Sequence, residues 1–348
     1  MISPIRLSTG AFNGIRTARP CLTTLYLCVA RTFFLLSLFI SFSANLLSTA
    51  STMQCWGSLV VIIYARPDKQ EALWLAVKIY EYIRRLGEQA YFDISLYNYI
   101  GEGYSYDDLR FTSQKKAIVI GGDGTLLHAM RLIGCRQVDV LPIKVGRRGS
   151  YYKVTADRWI ESVKALVEGR YSVEFLPRLN VEVFTQSSTM RASALALNDV
   201  ALLALGSKTV ELQVEVDGSI VYSSVEGDGV LVATPQGSHA YNLSLRGPIL
   251  FSQNVVVIVP INVIGYYPPL VVSSSSTIRI SVKRTLHSPR LIVDGCSVAR
   301  LVRGEYVNIR MASECSARIV RVEFQAYENA REYEEILIEG DNSVVWRI

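Results

Sequence analysis

The sequence has no Cys-x-x-Cys pair and only three histidines, His128, His239 and His287, among 348 residues. Zinc sites built from closely spaced thiolates and imidazoles are thereby excluded. The six cysteines, Cys21, Cys28, Cys55, Cys135, Cys296 and Cys315, follow no scaffold spacing. They read as reduced thiols in a cytoplasmic protein. No Gly-x-Gly-x-x-Gly opens a helix after the first strand-like run, which removes an ordinary Rossmann cofactor site. Gly206-Ser207-Lys208-Thr209 lacks the Gly-Lys-Ser/Thr order of a P-loop.

Acidic residues are missing from residues 1–52, which also lack lysine and carry four arginines, Arg6, Arg16, Arg19 and Arg31. The other 296 residues hold 32 basic against 31 acidic side chains. That near-neutral balance argues against a general nucleic-acid binder or an acidic-membrane binder. The apolar stretch at 33–47 is broken by Ser37, Ser41, Ser43 and Asn45 and is shorter than the roughly 18 residues a membrane helix needs. A targeting segment, a weak anchor and translation from an upstream start all fit residues 1–52. Met53, just before an apolar run, is taken as the working start, and no membrane is expected for residues 53–348.

Half of the residues are apolar, enough for two proper cores at this length. The run at 59–64 has strand length, and Asp68 is positioned to cap a helix reaching residue 86, with Gly87 at its stop. Strands are expected near 90–94 and 117–120. The second runs into Gly121-Gly122-Asp123-Gly124-Thr125, then a helix ending at Gly134. Another helix is expected at 157–168, closed by Gly169. This alternation gives an α/β domain with an open, largely parallel sheet over residues 53–170. From 171 to 325 the period changes to two. Val210 to Val216 alternates strictly and meets Asp217-Gly218, a hairpin signal. Further strands are expected at 278–282, 290–293, 307–311 and 319–324, with Asp294-Gly295 as a turn. The second domain is therefore β-rich, and residues 326–348 form a tail that can pack back on the first.

Three constellations carry chemistry. Glycines 122 and 124 let backbone amides approach a phosphate at a helix start. An aspartate among them repels phosphate, and so fits a role in holding a cation or taking a hydroxyl proton. A tight turn with Asp123 as helix cap fits the same residues. The Asn198-Asp199 pair ends an apolar stretch and must find polar partners, either ribose hydroxyls or its own Asx turn. The third is Gly227-Asp228-Gly229, a strand, then Thr234-Pro235-Gln236-Gly237-Ser238-His239-Ala240-Tyr241. Here an acid, hydroxyls, amides and an aromatic ring converge.

In this order the three resemble the motifs of the NAD kinase family, over roughly residues 57–325. The glycine loop is also similar to one in diacylglycerol-type lipid kinases and phosphofructokinases, which lack the Thr-Pro-x-Gly-Ser segment. The resemblance implies a two-domain fold with NAD between the domains and phosphoryl transfer to the 2′-hydroxyl of the adenosine ribose, giving NADP. ATP or polyphosphate would be the donor, with a divalent metal, Mg²⁺ foremost, on its phosphates and no protein metal cage. It implies Asp123 as general base and Gly122, Gly124 and Thr125 as phosphate loop. Asn198 and Asp199 would hold the nucleoside. Asp228, Thr234, Ser238, His239, Ala240, Tyr241 and Ser244 would line the dinucleotide pocket. A homodimer or homotetramer is implied as well. His239, Gln236 and Arg246 depart from the family pattern, where Thr, a small hydroxyl residue and Gly are usual. Arg147 and Arg148 fit either a donor-neutralising pair or a solvated basic loop. A lipid or sugar-phosphate kinase and a non-catalytic NADP-binding regulator remain the alternatives.

Overall fold

The computed structural model describes residues 59–101, 103, 115–146, 149–206 and 208–324. The expectations for residues 1–52, for Arg147 and Arg148 and for the tail at 326–348 lie outside the described residues. Among the described residues no helix is long and apolar enough to cross a membrane.

Four short parallel strands form the heart of the first half: β1 (Val60–Ala65), β2 (Gln89–Phe92), β3 (Lys115–Gly121) and β4 (Asp139–Lys144), in the spatial order β4-β3-β1-β2. β1 is buried at every residue, as expected of a strand covered on both faces. Helices α1 (Gln70–Arg85) and α3 (Trp159–Glu168) cover one face, and α2 (Asp123–Ile133) the other. On α1 the residues Leu75, Ala76, Ile79 and Ile83 are buried at helical spacing. Each such Leu or Ile contributes about 1.5–3 kcal/mol by leaving water. Asp68 does not cap α1: Lys69 takes that place without a side-chain bond, and Asp68 pairs with Arg66 at 2.7 and 2.8 Å. The neighbouring guanidinium outcompetes the helix amides for that carboxylate.

The sheet does not stop at β4. A long strand, Tyr306–Arg321, pairs parallel to β4 and antiparallel to Ser172–Phe184. The expected separate strands at 307–311 and 319–324 are thus one strand, with a register shift between Ala312 and Ala317. A bulge absorbs the polar residues that broke the pattern. Val210–Val216 and Ser219–Gly227 form the expected hairpin, turning at Asp217 (φ 51°) and Gly218 (φ 80°). A second, six-stranded sheet contains Asp199–Leu203, Gly229–Ala233 and Arg290–Val293. A continuous apolar core fills the space between the two sheets, with Leu179, Val181, Val200, Leu202, Val230 and Ile280 all nearly free of solvent. The fold is thus α/β with an open parallel portion, followed by a β-rich half.

Cys135 and Cys315 form a disulfide across 180 residues, with Cα atoms 4.6 Å apart. The reading of these two as reduced thiols is overturned. The strand Tyr306–Arg321 carries Cys315 in its bulge and lies beside β4, which brings it to the chain just after α2. A loop of this size constrains the unfolded chain strongly. Replacing both cysteines by serine is expected to lower the free energy of unfolding by about 2–4 kcal/mol, read from denaturant melts under non-reducing conditions. An unchanged midpoint would show that the bridge is not formed.

Candidate active site

Asp123 begins α2, and Gly122 precedes it as a cap that makes no side-chain bond. The reading of Asp123 as helix cap is therefore set aside. Its carboxylate turns instead to the loop after β4. It accepts from the Ser150 amide at 3.0 Å on both oxygens, from Ser150 Oγ at 3.0 Å and, longer, from the Tyr151 amide at 3.4 Å. Gly122, Asp123, Gly124 and Thr125 line a cleft of about 670 Å³, together with Arg66 and His128. Burial and the nearby Arg131 push the His128 imidazole below its usual range, so it is neutral at pH 7.

Asn198 and Asp199 sit where the chain leaves the first sheet, after Met190–Ala196, and enters the second at Asp199–Leu203. A crossover of this kind breaks both ladders and frees backbone amides. Asp294 collects them: its carboxylate accepts from the amides of Leu197 (2.7 Å), Asn198 (2.8 Å) and Asp199 (3.2 Å). The Tyr151 hydroxyl donates to Asn198 Oδ1. Tyr151 thus reaches Asp123 through its amide and Asn198 through its hydroxyl. Burial, then the charges of Asp294, Asp123 and Asp199, hold this phenol far above its usual range, so it stays a proton donor.

The third constellation packs against the same crossover. Thr234 is fully buried, and its hydroxyl bonds the carbonyls of Leu197 and Asn198 at 2.7 and 3.1 Å. A Cβ on Gly237 would stand 2.0 Å from the Asn198 carbonyl oxygen, so only glycine fits this approach. Tyr241 is 38% exposed, and its phenol is raised first by burial and then by Asp199 and Asp228, which places those carboxylates within electrostatic reach of one ring. Asp228 accepts from Asn262 Nδ2 at 2.8 Å. Ser238 is buried and caps no helix: its hydroxyl donates to the Pro235 carbonyl and accepts from the Leu250 amide. Ser244 donates to the Tyr241 carbonyl, and Ala240 is exposed. His239 is exposed and faces a second cavity of about 280 Å³ with Gln236 and Phe251. Arg246 adopts φ 61°, which explains why glycine is usual there.

The sequence pattern of the ATP-NAD kinase N-terminal domain matches residues 61–171, and that of the ATP-NAD kinase C-terminal domain matches residues 197–322. The chain is 30% identical to an NAD kinase of Methanothermobacter thermautotrophicus over 282 residues, 80% of this chain and 96% of the relative. The chain belongs to the NAD kinase family. An NAD kinase of Nitrosomonas europaea is 35% identical over 220 residues, 62% of this chain and 73% of that one. In fold, this family member resembles the crystal structure of yeast NADH kinase complexed with NADH. The TM-score is 0.68 at 20% identity, covering 83% of this chain and 90% of that one. It also resembles an Archaeoglobus fulgidus NAD kinase in complex with ATP, with a TM-score of 0.59 at 23% identity, covering 76% and 94%.

Sequence reasoning did not single out Ser150, Tyr151, Arg66 or Asp294. The first three lie outside the three motifs, and Asp294-Gly295 carries only a turn signal. Asp294 makes that turn, at φ 47°, and uses its side chain elsewhere. Among the described residues no group of three or more His, Cys, Asp or Glu side chains converges.

Asp199 is raised from 3.8 to about 7, first by burial and then by Asp294. The folded protein therefore keeps a proton that the unfolded chain releases. Its contribution to stability is full below about pH 4 and is lost as pH rises to about 7. Relative to the wild type, Asp199→Asn should gain on the order of 2–4 kcal/mol between pH 4.5 and pH 8. Denaturant melts at the two pH values check this, and parallel losses in both proteins would refute it.

Proposed function

We propose that this family member transfers the terminal phosphoryl group of ATP or polyphosphate to the 2′-hydroxyl of the adenosine ribose of NAD, giving NADP. The observation that carries the reading is Tyr151, which joins the carboxylate of the phosphate loop to the Asn198-Asp199 pair through one residue. A phosphoryl acceptor and its base must be held together, because phosphoryl transfer depends on positioning and charge neutralisation more than on covalent help. On this reading Asp123 takes the ribose proton. An ionised carboxylate has about four lone-pair sites, and Ser150 and Tyr151 take all of them, so the ribose hydroxyl replaces one, most simply the rotatable Ser150 hydroxyl. The amides of Gly122 and Gly124 face the donor phosphates at the start of α2, and Thr125, whose amide bonds the Gly122 carbonyl, lines the same cleft. Asn198 and Asp199 hold the nucleoside, and Asp228, Tyr241 and the buried Thr234 and Ser238 shape the rest of the pocket, with His239, Ala240 and Ser244 at its edge.

Support for ATP comes from the family pattern's own description and from the ATP complex of the A. fulgidus relative. A divalent cation, Mg²⁺ on this reading, fits a cleft in which Asp123 is the only carboxylate among the described lining residues. Mg²⁺ commonly binds through one or two carboxylates plus substrate phosphates. Bound there, it would neutralise donor charge that otherwise repels Asp123. Arg66 stands on the same wall, with its charge paired to Asp68.

Incubation with NAD, Mg²⁺ and each donor should yield NADP, read with an NADP-specific dehydrogenase; no product with any donor would reject the proposal. Asp123→Asn keeps the shape and removes the base. It should lower kcat by about 10²–10⁴-fold while NAD binding stays near wild type, and near-full turnover would remove Asp123 from the base role.

The same reading places the enzyme in the cytoplasm as a homodimer or homotetramer. Phe251 and Tyr266, 92% and 89% exposed, are large rings left in water, which fits burial against a second copy. Light scattering should give at least the dimer mass, and a monomer at micromolar concentration would oppose it.

A further inference from the structure

Arg178 is the largest fully buried side chain of the described residues, at 1% exposure. No carboxylate pairs with it directly. One guanidinium nitrogen donates to the Gly134 carbonyl at 2.7 Å, another to the Met130 carbonyl at 3.3 Å, and Nε has no hydrogen-bond partner. Both carbonyls belong to the C-terminal end of α2, the helix that Asp123 begins. A buried cation this poorly satisfied costs several kcal/mol and needs a reason beyond packing. Desolvation pulls its pKa down to about 10, opposed by the charge of Asp294, so it remains cationic at pH 7.

Asp294 lies within electrostatic reach of this cation, and burial still leaves its carboxyl above the usual carboxylate range. The position of Arg178 is itself fixed. It pairs with Ala312 at the edge of the bulge in the strand Tyr306–Arg321, and that bulge carries Cys315, bridged to Cys135 just beyond the end of α2.

We infer that Arg178 is a positioning residue: its guanidinium binds the carbonyls at the far end of the Asp123 helix, from a strand position fixed beside the disulfide, and so holds the base in its place at the cleft. The inference rests on the kinase reading for its effect on turnover, but not for its effect on the backbone. α2 spans about 16 Å as a rigid rod, so freedom at its C-terminal end tilts Asp123 at the other.

Arg178→Gln keeps one donor and loses the charge, whereas Arg178→Lys keeps the charge and loses the fork. Two readouts are taken: hydrogen exchange at the amides of the last turn of α2, Ile133 and Gly134 among them, and kcat and KM for NAD. In Arg178→Gln those amides should lose protection, and kcat should fall about tenfold or more with KM for NAD near wild type. Arg178→Lys should keep more of the protection, with a smaller loss of kcat. Wild-type exchange and wild-type kcat in folded Arg178→Gln would overturn the inference, as would a raised KM with kcat unchanged. If Arg178→Gln does not fold, Arg178→Lys decides: full kcat overturns it. If the wild type makes no NADP, the kinase reading fails, and the exchange data still decide the link between Arg178 and the end of α2.

Discussion

A carboxylate buried in protein stays charged only if donors replace the water it has lost. Asp294 recovers part of that loss from three consecutive amides at the point where the chain passes from one sheet to the other, and burial still leaves its carboxyl raised. Each hydrogen bond to a charged group contributes about 1.5–3 kcal/mol, against a desolvation cost of several kcal/mol. The balance is close, and it ties the crossover to the turn after Arg290–Val293. Asn198 and Asp199 acquire their orientation from that tie. Thr234 reinforces it from the other side by bonding the carbonyls of Leu197 and Asn198, and Gly237 permits the approach.

Asp123 depends on a different segment. Its partners are Ser150 and Tyr151, which follow the parallel strand β4 in a loop. The loop therefore serves two masters: it fixes the carboxylate with its backbone and reaches Asn198 with the Tyr151 hydroxyl. The departures from the family pattern fall outside this inner set. Arg246 accepts a left-handed conformation at a cost of roughly 1–2 kcal/mol. Gln236 bonds Gln253 at 2.9 Å, and His239 is exposed. None of the three touches the carboxylate of Asp123.

The architecture was largely legible because its signals are local. Continuous apolar runs marked the parallel strands, Gly87, Gly134 and Gly169 marked helix ends, and Asp217-Gly218 marked the hairpin. The helix start missed at Asp68 has a local cause, the Arg66 guanidinium two residues before it, whereas the single strand read as two is held together by a tertiary partner, Ser172–Phe184, that overrode the local pattern. The Cys135–Cys315 bridge was invisible for the same reason, since 180 residues separate the two.

By itself the sequence determined the element types, the order of the three motifs and the residue chemistry each one offers, because those follow from spacing along the chain. Only the tertiary structure decided that Asp294 is a carboxylate clamp rather than a turn residue. It likewise decided that Asp123 faces a loop instead of capping its helix, and that a buried arginine holds the far end of that helix. These facts concern groups far apart in sequence, and a buried charge reveals its purpose only when the donors and acceptors around it are in place.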